Sequence, residues 1–294
     1  MFMSEFWDRE VVERKHNEWM ALLPVRLHIN ELIGGGEPKW PIDWFESWLQ
    51  GRKFERALSI GCGAGALERD LISRDLCERI DAFDASVGSL RIARETASSD
   101  RIRYYAADFN RCVLPRKTYD IVFFHQSAHH VSRLEYLFTQ VLLALKSGGL
   151  VYLDEYVGPS RFEWSAERLA PQQAFYAALP REIRMSDELP LPIQIDDPSE
   201  AVRSSAIEPV LRIGFDVVAQ RPYGGTLLSV VLPQLKTTDA ALAYCVGAER
   251  ALLAAGLPSY YAVIVARPKR RLLALIRYAA VRLLNRWRSV RARR

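Results

Sequence analysis

Cysteine is scarce in this chain of 294 residues, with four at Cys62, Cys77, Cys112 and Cys245 and no C-x-x-C pair among them. That usage argues against a disulfide scaffold and a zinc ribbon, and points to a reducing compartment with no structural metal. Long apolar runs are missing as well: no uninterrupted stretch of about 18 apolar residues exists to span a bilayer. Charge begins almost at once, with Glu5, Asp8, Arg9 and Glu10, so no signal peptide is expected and the chain reads as cytoplasmic. Acids are absent from the other end. Residues 267–294 hold eleven Arg or Lys and no Asp or Glu, against 29 basic and 35 acidic side chains elsewhere. The formal net charge of +5 therefore conceals a mildly acidic body and a strongly basic tail, an asymmetry that concerns the tail's partner and not the fold. Apolar content of 49% and charged content of 26% suit a globular α/β domain with additions.

What is present centres on Leu58-Ser59-Ile60-Gly61-Cys62-Gly63-Ala64-Gly65. The apolar run 57–60 reads as a buried parallel strand. Three glycines at alternate positions then allow a sharp turn and a close approach of ligand to main chain. Residues 66–75 have helical spacing, with Leu67 and Leu71 four apart. Strand, turn and helix together form the ligand crevice of an open α/β sheet. Gly61, Gly63 and Ala66 alone would also satisfy a looser nicotinamide-binding pattern.

Before this turn, residues 4–23 read as an amphipathic helix and 41–49 as a second, separated by a flexible break at Gly34-Gly35-Gly36. After it, residues 80–86 form a second strand ending at Asp84, and Ser86 caps the helix that follows. An acid at that strand tip is placed to accept hydrogen bonds from both hydroxyls of a ribose. Residues 101–106, 119–124 and 150–156 supply three further strands, the last reached through a helix over 133–146 and Gly148-Gly149. Residues 161–180 are helical and aromatic-rich, and the irregular stretch 157–200 is placed to wall a substrate pocket. Further helices are expected over 199–213 and 240–254, and strands over 215–219 and 260–265. The run 227–232 is apolar without a clear period.

Gly61-Cys62-Gly63-Ala64-Gly65, Asp84, Asp108 and His129-His130-Val131, in that order, resemble the motifs of class I S-adenosylmethionine-dependent methyltransferases over residues 55–156. The resemblance implies a Rossmann-like doubly wound α/β fold of seven strands in the order 3-2-1-4-5-7-6, with the last strand antiparallel. It implies S-adenosylmethionine as cofactor. The methionine moiety then falls to Ser59, Gly61, Cys62, Gly63 and Gly65, and the ribose to Asp84 with Ala85. The adenine falls to Asp108 with Phe109, and His125 to the cofactor's side of the site. Many family members carry an acid where this chain has Ser59. The segment Asp154-Glu155-Tyr156-Val157-Gly158-Pro159 also looks like members from glycan and secondary-metabolite pathways. The chain so divides into an N-terminal helical cap (1–52), a methyltransferase domain (53–267) with its insertion (157–200), and a tail (268–294).

Methyl transfer to a hydroxyl needs positioning, desolvation and a base at the carboxyl ends of the fourth and fifth strands. His125, His129, His130, Asp154 and Glu155 lie there, and histidine suits proton transfer near neutral pH. The expected catalytic residues are His129 or Glu155, with His130, Tyr156 and Trp164 on the acceptor. His125-Gln126-Ser127-Ala128 is not the Asn/Asp-Pro-Pro-aromatic motif of base-modifying enzymes. Metal-assisted catechol chemistry would rest on Asp154 and Glu155 alone, so no metal is expected.

The tail is helical with Leu272, Ile276, Ala279, Ala280, Leu283, Leu284, Trp287 and Val290 on one face and arginines beside it. Such a helix suits an anionic membrane surface; a protein partner and nucleic acid are the rivals, nucleic acid the less favoured. The functional expectation is O-methylation of a small molecule or lipid-linked glycan at a membrane surface. The alternative is a cofactor-binding scaffold or regulator without catalysis.

Overall fold

The computed structural model describes residues 19–97, 99–236 and 238–291, with side chains to residue 285. Seven strands form one sheet: β1 (Phe54–Ile60), β2 (Cys77–Asp84), β3 (Ile102–Ala106), β4 (Tyr119–His125), β5 (Leu145–Tyr156), β6 (Phe215–Pro222) and β7 (Tyr261–Pro268). Their order is β3-β2-β1-β4-β5-β7-β6, and β7 runs antiparallel to both β5 and β6. This is the seven-stranded arrangement implied by the sequence.

Alternation along the strands explains why the sheet is covered on both faces. Ile121 and Phe123 of β4 join one core with Ile29, Phe45 and Tyr152, while Val122 and Phe124 join another with Leu58, Phe138 and Phe215. A strand buried on both sides must be apolar at every position, and β4 is nearly so. The helices Leu23–Gly34, Pro41–Leu49 and Asp239–Ala254 cover the first face, and Leu134–Ala144 and Ile207–Gly214 the second.

The N-terminal region differs from its expected form. Most of the helix expected over 4–23 lies outside the described residues. Its end is a single turn at Trp19–Ala21, and a separate helix, Leu23–Gly34, starts with Pro24 in its first turn. Proline lacks an N–H and suits a helix start. The triple glycine is no loose break: Gly35 takes φ +75° and donates to Glu31 O, closing that helix. Further on, the helix expected from 199 begins at Ile207, because Asp197 Oδ1 accepts from the Ser199 N–H and hydroxyl and holds the chain in a turn. The unassigned run at 227–232 is a short helix, Leu228–Val231.

The basic tail forms a helix, Arg271–Arg291. Ala274 and Tyr278 are buried on the second face of the sheet, where the Tyr278 hydroxyl donates to Val210 O at 3.1 Å. The other side leaves Leu272, Leu273, Ile276, Leu283 and Leu284 exposed. No helix among the described residues is long and apolar enough to cross a membrane.

Candidate active site

Strand register brings the site together. Ile60 pairs with Phe83 and Phe124, and His125 with Asp154. The glycine turn, Asp84, His125 and Asp154 therefore meet at the carboxyl edge of four adjacent strands. Gly61 has φ +72°, and a Cβ there would come 2.5 Å from that of Ser127; only glycine lets the turn pass under the β4 loop. Gly63 also has positive φ, but a Cβ there would project into open space. Its N–H donates to Asp84 Oδ2 at 2.8 Å, while Asp84 Oδ1 accepts from Ser86 N at 2.8 Å. Asp84 thus shapes the turn that it also faces.

Gly61, Cys62, Gly63, Asp84, Ala85, Phe109, His125 and His130 line one cavity of about 210 Å³. Ser89, Gln126 and Ser127 complete its wall without having been expected there. Ser59 is buried within β1, Gly65 caps the helix Ala66–Ser73, and Asp108 accepts from Asn110 N beside the cavity; none of these three lines it.

His125 and Gln126 also line a second cavity, of about 740 Å³, beneath the N-terminal helices with Trp19, Trp40, Tyr152, Asp154, Tyr223 and Tyr261. His125 keeps 48% of its side chain open at this junction. Its Nδ1 is 3.3 Å from Asp154 Oδ2, and the Tyr223 hydroxyl donates to Asp154 Oδ1 at 2.5 Å. Depth in the protein opposes a charge on His125, but the Asp154 carboxylate outweighs it and the pKa is raised. A third cavity, of about 430 Å³, is walled by Tyr156, Trp164 and Glu200 and shares Trp19 and Tyr261 with the second.

His129 and Glu155 take a deeper place. Glu155 is fully buried. Its Oε1 accepts from the N–H groups of Ser127 and Ala128 at 2.6 and 2.5 Å, and its Oε2 lies 2.8 Å from His129 Nδ1. Burial disfavours charge on His129, but Glu200 and Glu155 prevail and raise its pKa to about 9. His130, buried and beside His129, is driven the other way. Glu155 thus anchors the loop that carries Gln126 and Ser127, and Ser127 Oγ ties that loop to Ile60 O at 2.6 Å. Glu155→Ala is expected to cost about 3–5 kcal/mol of stability by orphaning two buried N–H groups and an imidazole. Thermal unfolding followed by circular dichroism checks this; an unchanged Tm would refute the anchoring role.

Residues 58–153 match the sequence family described as methyltransferase domain. The match covers about a third of the chain and agrees with the strand order and the glycine cavity. These residues form a class I S-adenosylmethionine-dependent methyltransferase domain. Among curated proteins, the chain is 21% identical over 154 residues to the sterol 24-C-methyltransferase of Saccharomyces cerevisiae. The match covers 51% of this chain and 38% of that protein, so the chain spans about two fifths of the relative's length. Among solved structures it resembles Haemonchus contortus phosphoethanolamine N-methyltransferase 2 in complex with S-adenosyl-L-methionine, with TM-score 0.51 and 17% identity over 92% of this chain and 60% of that one. It also resembles a chain from a Haloferax volcanii methyltransferase–activator complex, with TM-score 0.50 and 13% identity over 90% and 98% of the two chains. At those identities the likeness is one of fold.

S-adenosylmethionine is the cofactor of this domain, and the residues fit it. The space over Gly63 is a cradle that a Cβ would begin to fill. In the helix that opens from the turn, Glu68 is fully buried with no cationic side chain among the described residues paired to its carboxylate, and burial raises its pKa against the opposing influence of the Ser59 hydroxyl. An ionised carboxylate in that position needs a cation, and the cofactor carries an ammonium group. Ser59, near the end of β1, is the neighbour of that carboxylate across the glycine turn. That carboxylate was not legible as part of the site, since Glu68 reads as an ordinary exposed helix position.

Proposed function

We propose that the chain transfers the methyl group of S-adenosylmethionine to a hydroxyl of a small molecule or lipid-linked glycan, with His125 as the base. The supporting observation is that one half-open imidazole walls both the glycine cavity and the 740 Å³ cavity, with Asp154 behind it. The cofactor, when bound, supplies a methyl group on a sulfonium, which departs by in-line displacement. Asp154 accepts the Nδ1–H of His125 and leaves Nε2 to take the acceptor's proton. Tyr223 and Gln126 fix that pair: Tyr223 donates to Asp154 Oδ1, and the Gln126 amide donates to Asp154 O at 3.2 Å. Trp19, Trp40, Tyr152 and Tyr261 exclude water around the reacting atoms. Tyr156 and Trp164 meet the remainder of the acceptor in the adjoining cavity.

This reading moves the base from the pair expected in the sequence, His129 and Glu155, to the pair one step nearer the cavities. Glu155 has each oxygen engaged, and His129 lines none of the three cavities. An acceptor panel of alcohols, phenols and glycans, scored by S-adenosylhomocysteine release, tests the proposal. Release with at least one hydroxyl acceptor is expected. Cofactor binding without release from any acceptor would favour the non-catalytic scaffold.

The membrane surface is part of the same proposal. The outward face of the tail helix offers Leu272, Leu273, Ile276, Leu283 and Leu284, with Arg270 and Arg277 exposed beside it. Each basic residue near an anionic bilayer contributes about 1 kcal/mol. Full-length protein should float with phosphatidylserine-containing liposomes, and Leu272→Glu with Ile276→Glu should abolish flotation without unfolding, since both positions point to solvent. Equal flotation of the two forms would remove the membrane from the proposal.

A further inference from the structure

Beside the methyl-transfer site lies a buried cluster with no part in the proton transfer. His129 and His130 lie side by side with ring centroids 4.1 Å apart, each with a side chain only 8% exposed. Both Nε2 atoms lie 3.8 Å from the same oxygen, Glu200 Oε2. The three ligand-type atoms fall within 4.8 Å of one another.

Each imidazole is gripped from behind through its other nitrogen. His129 Nδ1 is 2.8 Å from Glu155 Oε2, and His130 Nδ1 is 3.1 Å from Ser199 Oγ and 3.6 Å from Asp197 Oδ2. Metal-ligating histidines are held in this way, with one nitrogen on a carboxylate or hydroxyl and the other presented to the ion. Charge supports the same conclusion. Glu155 and Asp197 are fully buried, and Glu200 is only 28% exposed. Three acidic side chains thus surround the two imidazoles. The neighbouring Arg161 guanidinium donates to the main-chain carbonyl of Asp197, not to a carboxylate, and Asp197 Oδ2 has no hydrogen bond. Acidic groups crowded away from water are stabilised by a cation held among them.

We propose that His129, His130 and Glu200 bind one divalent cation of the zinc class. Two imidazoles and a carboxylate are a ligand set that such ions take, with a fourth position left for water or substrate. Ligands at about 2.0–2.1 Å in a tetrahedron stand roughly 3.3 Å apart, so each 3.8 Å contact to Glu200 closes by about half an ångström and the two imidazoles, now within 4.8 Å, draw to the same spacing. His130 lines the glycine cavity, while Glu200 lines the cavity with Tyr156 and Trp164. The ion joins the loop after β4 to the far end of the 157–200 insertion and thereby holds that cavity's wall. It leaves His125 as the base and does not depend on methyl transfer. Cysteine spacing gave no hint of it, because the ligands are brought together only when the insertion folds back.

Full-length protein, stripped with chelator and shown folded by circular dichroism, is titrated with Co²⁺ and then Zn²⁺. One equivalent of Co²⁺ should bind with visible d–d absorption, and Zn²⁺ should displace it. Glu200→Gln and His130→Ala should each weaken binding at least 10-fold, and Asp197→Asn, which acts through His130, about 10-fold. No stoichiometric uptake by folded wild-type protein overturns the proposal. Uptake unchanged in folded Glu200→Gln and His130→Ala overturns it too, since the ion then lies elsewhere.

Discussion

His125→Gln is expected to lower kcat by about 10²–10⁴-fold, the usual worth of a positioned general base, while cofactor affinity changes little. The imidazole stands where the two cavities meet, and glutamine fills that place without accepting a proton near neutral pH. The pH profile separates this role from a packing role. Asp154 raises the pKa of His125 above its ordinary 6.5, so the neutral base is lost as pH falls through a value above 6.5. The rate should climb with unit slope through that value and level off beyond it. In Asp154→Asn the carboxylate that favours the imidazolium is gone, and the inflection should move to lower pH. Unchanged kcat in His125→Gln, or an inflection that stays put in Asp154→Asn, would take His125 out of the chemistry.

Asp84→Ala should weaken S-adenosylmethionine binding at least about 100-fold. The carboxylate faces the cavity and holds the Gly63 N–H that shapes the turn. Carboxylate oxygens accept more than one hydrogen bond, and two charge-assisted bonds to ribose hydroxyls contribute about 1.5–3 kcal/mol each. Removing the side chain loses these and releases the turn. Asp84→Asn should fall between the two, because an amide retains only one acceptor oxygen. Isothermal calorimetry of the three proteins measures the series; equal affinities would mean that the ribose lies elsewhere.

Much of the architecture was legible because it depends on local pattern. The apolar run before Gly61, the glycine turn and the acid ending the second strand all fall between residues 57 and 84, and with the family resemblance they carry the expected fold and cofactor. The division of labour among His125, His129, Asp154 and Glu155 was not legible. Neighbouring positions on a strand point to opposite faces, and which face opens to a cavity depends on the N-terminal helices and the insertion packed over it. His129 and Glu155 are the pair expected from the sequence, and the β4 loop folded onto Glu155 is what turns the proposal to His125 and Asp154. Glu68 and Glu200 were hidden for a similar reason. One reads as a surface helix position and the other as loop, and only tertiary packing takes them out of water. In the tail, periodicity identified the apolar positions but not that Ala274 and Tyr278, between them, bind the helix to the body.

The central claim is that the cavity over Gly63, flanked by Asp84 and closed by His125, holds the methyl donor. Equilibrium dialysis of the full-length protein against methyl-labelled S-adenosylmethionine tests it most directly. One saturable equivalent should be retained, displaced by S-adenosylhomocysteine and not by NAD. Folded protein that retains no label, or label that NAD displaces, would contradict it.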